Sequence, residues 1–294
     1  MSKIVVVGSC SMDLVAVSSR RPKAGETVIG ESFVSVPGGK GANQAVAAAR
    51  LGADVTMIGA VGKDDNGRLV LNNFQKEHID TRYIEELTEV TTGIAHIVVA
   101  EGDNSIVVVP GANHHVSVSL ADKVKKRIAS ADLVLLQLEI PLETIEYVVD
   151  LCYEHHVPVL LNPAPAQLLS EALLKKVTYI TPNEHECKLI FNKEEIEILL
   201  KRYPNKLIVT EGEKGARFHN GQTVVRVPGK QVEVVDTTGA GDTFNGAFAV
   251  AVTSGFSIEE AIRFANTAAA LSVMKLGAQG GMPSLEEVKQ KQND

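Results

Sequence analysis

Short apolar runs, rich in β-branched residues, alternate along this chain with longer stretches of helical periodicity. Ile4 to Val7, Val55 to Ile58, Leu133 to Leu136, Val157 to Leu161, Tyr179 to Thr181 and Lys206 to Thr210 read as strands. Most are apolar throughout, as strands covered on both faces by helices are. Between them, Ala42 to Leu51, Gly67 to His78, Ser117 to Ala129, Leu142 to His155, Ser170 to Lys176 and Glu184 to Arg202 carry helical patterns. The alternation predicts an α/β fold, a doubly wound and mostly parallel sheet flanked by helices.

Two segments break the alternation. Leu14 to Pro37 and Gly93 to Pro110 alternate in strand fashion, with turn signals at Lys23-Ala24-Gly25-Glu26 and Glu101-Gly102-Asp103-Asn104. They predict about four antiparallel strands, too few to bury both of their faces. The expected division is an α/β core of residues 1–13, 38–92 and 111–294 and a small β-sheet lid of residues 14–37 and 93–110. One lid face should cover a cleft of the core or meet another subunit; a plain extension of the main sheet's edge is the competing arrangement.

Composition narrows the class. With 294 residues, 45% of them hydrophobic, the chain can bury a substantial core. A formal net charge of −7, with no basic run, predicts no attraction to nucleic acid or to an anionic membrane surface. No apolar run approaches the roughly 20 residues that span a bilayer. The amino end, Met1 to Gly8, reads as a core strand without a signal-peptide pattern, so a cytoplasmic location is expected. Cys10, Cys152 and Cys187 are odd in number and far apart, which predicts buried thiols and no disulfide framework. The pairs His114-His115 and His155-His156 lack the i, i+4 spacing of a helical metal site and read as exposed.

The candidate chemistry concentrates in Asp236-Thr237-Thr238-Gly239-Ala240-Gly241-Asp242-Thr243-Phe244-Asn245-Gly246. This glycine-rich turn delivers an aspartate to the start of an apolar helix. Gly239, Ala240 and Gly241 allow close approach to a ligand and present backbone N–H groups, and the helix dipole adds positive potential, which suits a phosphate or a developing negative charge. Asp242 is then either a helix cap or a catalyst. Thr237, Thr238, Asp242 and Thr243 supply more polar groups than one helix end needs, which favours ligand contact.

A second glycine cluster, Pro37-Gly38-Gly39-Lys40-Gly41-Ala42-Asn43-Gln44, stands where a lid strand returns to the core and a helix begins. It lacks the spacing of a Walker P-loop. The glycines would let a polyhydroxylated ligand lie against the backbone, with Lys40 and Asn43 bonding it; a tight turn capped by Asn43 fits the residues equally well. Asp13, Glu139, Asn183 and Glu186 follow predicted strands, at the carboxyl ends where open α/β sheets bind ligands. Each alone could be a cap or loop residue; together they predict one crevice.

Gly38 to Asn43 together with Asp236 to Asp242 resemble the two signatures of the PfkB-type carbohydrate kinases, and within that family its ribokinase-like branch. Thr181-Pro182-Asn183-Glu184-His185-Glu186 matches the family's Asn-x-x-Glu element, and the resemblance runs from Ile4 to about Pro283. It implies that Asp242 takes the proton from a sugar's primary hydroxyl while the amides of Gly239, Ala240 and Gly241 stabilise the transferred phosphoryl group. Phosphoryl transfer is mostly positioning and electrostatics, so such a base need not be strong. The resemblance assigns the sugar to Ser11, Met12, Asp13, Gly39, Lys40, Gly41, Ala42, Asn43, Glu139 and Asp242. It assigns ATP to Asn183, Thr210, Glu211, Gly212, Glu213, Lys214, Gly215, Gly241, Asp242 and Asn266, with Glu186 placing Mg2+ or another divalent cation through water. Read on its own residues, the turn from Thr210 to Gly215 is a hairpin. The resemblance further implies an activating K+ held by Asp236, Thr238, Ser272, Lys275, Gly277 and Gly281, several through backbone carbonyls.

The resemblance therefore implies ATP-dependent phosphorylation of D-ribose at O-5. Members often have Asn where this chain has Ser11, whose shorter reach makes pentose selectivity less secure than the reaction type. Deoxyribose and fructose stay open as acceptors, as does a non-catalytic sugar- or nucleotide-binding regulator on the same scaffold. The low aromatic content, 4% with no Trp, argues against a purine-stacking acceptor site. Unprotected lid edges predict a homodimer through the lid, and polar edges on a monomer would serve the same strands. The segment from Cys187 to Pro204 is compact and has no functional account.

Overall fold

The computed structural model describes residues 1–293. From the amino end, β1 (Lys3–Val7), β2 (Ser11–Val17) and β3 (Ser32–Gly38) lead into α1 (Lys40–Arg50), β4 (Asp54–Gly62), α2 (Asp65–Lys76) and β5 (Asp80–Leu87). The hairpin of β6 (Gly93–Ala100) and β7 (Asp103–Val109) comes next, then α3 (Val118–Lys123), α4 (Lys125–Ala129), β8 (Leu133–Gln137), α5 (Leu142–Glu154) and β9 (Val159–Asn162). Then come α6 (Glu171–Lys176), β10 (Tyr179–Ile180), α7 (Glu184–Ile190), α8 (Ile196–Arg202), β11 (Ile208–Thr210), β12 (Ala216–His219) and β13 (Val224–Val227). The chain continues through α9 (Ala240–Thr253), α10 (Ile258–Ser272), α11 (Ala278–Gly281) and α12 (Leu285–Asn293).

The central sheet runs in the order β10-β9-β8-β1-β4-β5, with every neighbouring pair parallel. Single parallel bridges, Ile180 to Leu207 and Asn183 to Thr210, hang the antiparallel trio β11-β12-β13 beside β10. Alternation within β1 explains the layers. Ile4 and Val6 pack with Val46 of α1, Phe248 of α9 and Ile262 of α10, whereas Val5 and Val7 pack with Ile145 and Val149 of α5 and Leu173 of α6. Both faces of the sheet are thus covered, the doubly wound arrangement.

The predicted strand-rich segments form a separate four-stranded sheet in the order β3-β2-β6-β7. The expectation of four antiparallel strands needs correction, because β2 and β6 pair in parallel, from Ser11 with Gly93 to Val17 with Val99. Both strands leave the core from the same end of the main sheet, so they meet heading the same way. Strand β2 also begins at Ser11, which places Asp13 within this sheet and not in a loop after β1. Strand β5 was not legible as an apolar run; it is an edge strand, and its Arg82, Glu85 and Glu86 protect an open edge. The helical stretch from Glu184 to Arg202 divides into α7 and α8, because Asn192 and Lys193 adopt left-handed backbone with φ of 50° and 61°.

Cys10, Cys152 and Cys187 are buried free thiols, and both histidine pairs are exposed. Among the described residues no helix is long and apolar enough to cross a membrane.

Candidate active site

Helix α9 begins at a left-handed Gly239, with φ of 78°, and no side chain caps it. The Asp242 carboxylate instead turns away from its own helix end. Its Oδ2 accepts from Asn43 Nδ2 at 2.9 Å and its Oδ1 from Gln44 Nε2 at 3.0 Å. The reading of Asp242 as an ordinary cap fails on this geometry. Close packing of α1 on α9 makes it possible: a Cβ on Gly246 would lie 2.7 Å from that of Ala47.

A cavity of about 220 Å³ opens at the start of α9, and Gly239, Gly241 and Asp242 meet Lys40, Asn183, Glu186 and Thr210 around it. The Ala240 N–H donates to Thr237 O at 3.2 Å, so within the predicted anion hole Gly239 and Gly241 are the residues that face the cavity. Burial pushes the Asp242 carboxyl up, against the opposing effects of Lys40 and of the Gln44 and Asn43 amides. Burial works against the Lys40 ammonium, but the charges of Asp242, Glu139, Glu186 and Asp13 outweigh it and raise its pKa.

The second glycine cluster docks onto the loop after β1. Gly41 N donates to Ser9 Oγ at 3.1 Å and Ala42 N to Ser9 O at 2.9 Å; a Cβ on Gly41 would lie 2.6 Å from Ser9 N. Glu139 Oε2 ties this junction together, accepting from Ser9 Oγ at 2.5 Å and from Lys40 N at 2.9 Å. Asp13 lies beside Gly38, where any side chain would overlap its carboxylate. Burial raises the Asp13 carboxyl to about 6, helped by Glu139 and Asp242 and opposed by Lys40. Ser11 and Met12 are buried at the same strand start, which Asn113 clamps by accepting from Cys10 N at 2.7 Å and donating to Cys10 O at 2.9 Å.

The residues expected around a nucleotide divide into two groups. Asn183 and Glu186 form a capping box at α7, Asn183 Oδ1 accepting from Glu186 N at 2.8 Å and Glu186 Oε2 from Asn183 N at 2.9 Å, and both still line the cavity. Burial raises the Glu186 carboxyl. Thr210 lines the cavity, and the exposed turn of Gly212, Glu213 and Lys214 follows it into β12, so the hairpin reading holds. Glu211 is otherwise placed: its carboxylate is buried against Arg217 Nε at 2.6 Å and Arg226 Nη2 at 3.0 Å, where it braces β12 and β13. Asn266 Nδ2 donates to the carbonyls of Val227 at 2.9 Å and Pro228 at 3.2 Å, while Gly215 packs against the same stretch.

For a divalent cation, Glu186 offers a carboxylate at the cavity wall, and no cluster of three or more His, Cys, Asp or Glu occurs among the described residues. That set fits an ion held largely by phosphate oxygens and water. For a monovalent cation, Asp236 joins two turns, Oδ1 accepting from Thr238 N at 2.9 Å and Oδ2 from Gly277 N at 2.8 Å. These bonds pull its carboxyl down against the effect of burial. A Cβ on Gly281 would overlap Ser272 O, so glycine lets these two segments approach closely beside the turn. The Lys275 ammonium points to Glu287 at 3.5 Å, leaving its carbonyl as the only useful donor. The oxygen-only set suits a large, weakly hydrated cation.

Sequence reasoning missed an amide network behind these groups. Gln44 Nε2 also donates to Asn162 Oδ1 at 3.1 Å, and Gln137 Nε2 donates to Gln44 Oε1 at 2.7 Å. On the other side of Asp242, Gln279 Nε2 donates to Asn43 Oδ1 at 2.9 Å and Asn73 Nδ2 to Gln279 Oε1 at 2.8 Å. The one available signal was the position of Gln137 and Asn162 at the carboxyl ends of β8 and β9.

Comparison with known proteins identifies the family. The model of the pfkB family carbohydrate kinases matches residues 1–285. The chain is 54% identical to a ribokinase of Bacillus subtilis over 99% of both chains, and 51% identical to a ribokinase of Lactococcus lactis over 99% of this chain and 97% of that one. Among solved structures it superposes on Arabidopsis thaliana ribokinase complexed with ribose and ATP, with a TM-score of 0.92 and 33% identity over 99% of both chains. Ribokinase from Thermotoga maritima gives a TM-score of 0.91 at 36% identity, with both chains fully covered. The chain belongs to the pfkB family of carbohydrate kinases.

Proposed function

We propose that this chain transfers the γ-phosphoryl group of ATP to the O-5 hydroxyl of D-ribose, giving D-ribose 5-phosphate and ADP. The observation that carries the reading is the placement of Asp242. It is a buried carboxylate held by two side-chain amides at a helix start, beside Gly239, Gly241 and Lys40 at one cavity. The named relatives, ribokinases at 51–54% identity over nearly the whole chain, supply the substrates.

In this reading the sugar lies against Gly39 to Asn43, between Asp13 and Glu139, with Ser11 and Met12 beneath it. Asp242 accepts the O-5 proton as that oxygen bonds to the γ-phosphorus and the bond to the ADP oxygen breaks. The Gly239 and Gly241 backbone and the Lys40 ammonium balance the charge on the transferred group, a preorganised arrangement worth several kcal/mol, roughly 3 per lost donor. Glu186 would place magnesium through water, and the ion would supply charge neutralisation for the transferred group. Asp236, Thr238, Ser272, Lys275, Gly277 and Gly281 would hold potassium, which would supply order to the loop that carries the anion hole. Asn183, Thr210 to Gly215 and Asn266 frame the nucleotide, Glu211 doing so by bracing the turn from behind. Residues 14–37 and 93–110 act as a lid that excludes water and pairs two copies of the chain. The three unpaired thiols accord with a cytoplasmic location.

The test is ADP release across ribose, deoxyribose and fructose, in potassium and in tetramethylammonium, with Asp242→Asn as control. Ribose should give the highest kcat/KM, potassium should stimulate, and Asp242→Asn should lose about 10²- to 10⁴-fold in kcat. Undiminished turnover by Asp242→Asn would overturn the mechanism.

A further inference from the structure

Asp242 is backed by a chain of amide side chains, of which Gln44 and Gln137 lie off the cavity wall and Asn162 on it. Gln44 and Gln137 are both fully buried, one on α1 and one at the end of β8. Each Nε2 hydrogen of Gln44 has an acceptor, Asp242 Oδ1 at 3.0 Å and Asn162 Oδ1 at 3.1 Å. Its Oε1 accepts from Gln137 Nε2 at 2.7 Å. The opposite end of Gln137 has no hydrogen-bond partner for Oε1 among the described residues and lies against Gly8, where any Cβ would overlap it.

An unsatisfied buried amide oxygen costs about 1–3 kcal/mol. A leucine of similar size at 137 would avoid that cost, so the amide needs another reason to be there. The bond pattern offers one. An amide such as Gln44 can present either its oxygen or its NH2 to a carboxylate, and only the NH2 stabilises the ionised form. By donating to Gln44 Oε1, Gln137 fixes the choice.

We propose that Gln44, oriented by Gln137, is a positioning residue for Asp242: it holds Oδ1, fixes the carboxylate plane and keeps the group ionised for its role as proton acceptor. The inference rests on that role for Asp242. Other charges facing the carboxylate are Lys40 from α1, Glu139 from the loop after β8, Asp13 from β2 and Glu186 from α7. Three of these four are acids that disfavour a further negative charge, which is why a neutral donor behind Asp242 matters.

Steady-state kinetics as a function of pH, on Gln44→Met, Gln137→Met, the double variant, and Gln44→Met combined with Asp242→Asn, test the proposal. Gln44→Met should lower kcat about 10- to 100-fold with little change in the KM of either substrate. It should also move the acidic limb of kcat/KM upward by about one pH unit, as expected for a lost donor to the charged form. Gln137→Met should show the same changes in weaker form, and the double variant should match Gln44→Met, since one residue acts through the other. Adding Gln44→Met to Asp242→Asn should cost no further activity. An unmoved acidic limb in Gln44→Met, or additive losses in the double variant, would overturn the inference. If Gln44→Met does not fold, Gln137→Met carries the test, because it leaves both donors to Asp242 in place. Full activity of Asp242→Asn alone would instead remove the mechanism on which the inference rests.

Discussion

Gly246 on α9 sits against Ala47 on α1 so closely that a Cβ on the glycine would lie 2.7 Å from the alanine Cβ and 2.9 Å from Gln44 O. This contact sets the separation of the two helices whose first turns carry Asp242 on one side and Asn43 and Gln44 on the other. Gly246→Ala should force α9 outward and lengthen both bonds to Asp242. We expect a loss of about 1–3 kcal/mol in urea unfolding, as overpacked cores show. The loss in kcat should be about 10-fold or more, since displacements of about 1 Å at a reacting group cost up to 10²-fold. Unchanged kcat in a destabilised variant would separate the helix contact from catalysis.

Asp13 gives a pH prediction of defined sign. Burial, then the charges of Glu139 and Asp242, raise its carboxyl to about 6 in the fold from an ordinary value of 3.8. Between those values the unfolded chain has released a proton that the folded chain keeps, so stability from this group falls as pH rises and levels off above about 6. Asp13→Asn removes the penalty. It should be more stable than the parent at about pH 7.5 and equal to it near pH 4, by thermal or urea unfolding at each pH. The same variant should raise the KM for the sugar, a trade of stability for binding. Equal stability at both pH values would mean that Asp13 is not strained by its neighbours.

What the chain's order makes legible here is local. Gly239, Gly241, Asp242, Lys40 and Asn43 lie within two short motifs, and the cavity brings those motifs together as their chemistry required. Pairings across long separations were not readable: the alternation in Leu14 to Val17 does not encode that β2 meets β6 in parallel some eighty residues on. Gln44 stands next to Asn43, yet its role depends on Gln137 and Asn162, which reach it only through the sheet. Glu211 was drawn into the nucleotide set by its neighbours in sequence; Arg217 and Arg226, on strands that lack strong apolar runs, decide where its carboxylate goes.

Glu211 accordingly predicts a stability effect first. Its side chain is 2% exposed and that of Arg217 is 15% exposed, so removing the carboxylate leaves a largely buried guanidinium with Glu197 as its remaining acidic partner among the described residues. Glu211→Ala should cost about 3 kcal/mol, toward the lower end for broken buried pairs because Arg226 is half exposed. Loss of the brace beneath Gly212 to Gly215 should raise the KM for ATP several-fold while kcat at saturation is nearly kept. Unchanged stability together with a collapsed kcat would place the Glu211 carboxylate in the reaction itself.

The lid proposed from the four-stranded sheet supplies the last prediction. Strands β3 and β7 are the two outer strands of its sheet, and β7 is exposed along its whole length although Ile106 to Val109 are all apolar. A flat, apolar edge strand is a template for pairing with another chain and is normally blunted by charge. Here Val107 is 64% exposed and Phe33 on β3 is 65% exposed, so a second copy of the chain burying this sheet would relieve both. Sedimentation equilibrium should find a dimer for the parent chain and a monomer for Val107→Lys, with the thermal transition of the core little altered. The variant should also bind the sugar more weakly, since Ser11 and Asp13 stand on β2 of this same sheet and would lose the support of a docked partner. A parent chain that sediments as a monomer at high concentration would refute the pairing, and a dimer that survives Val107→Lys would move the interface elsewhere.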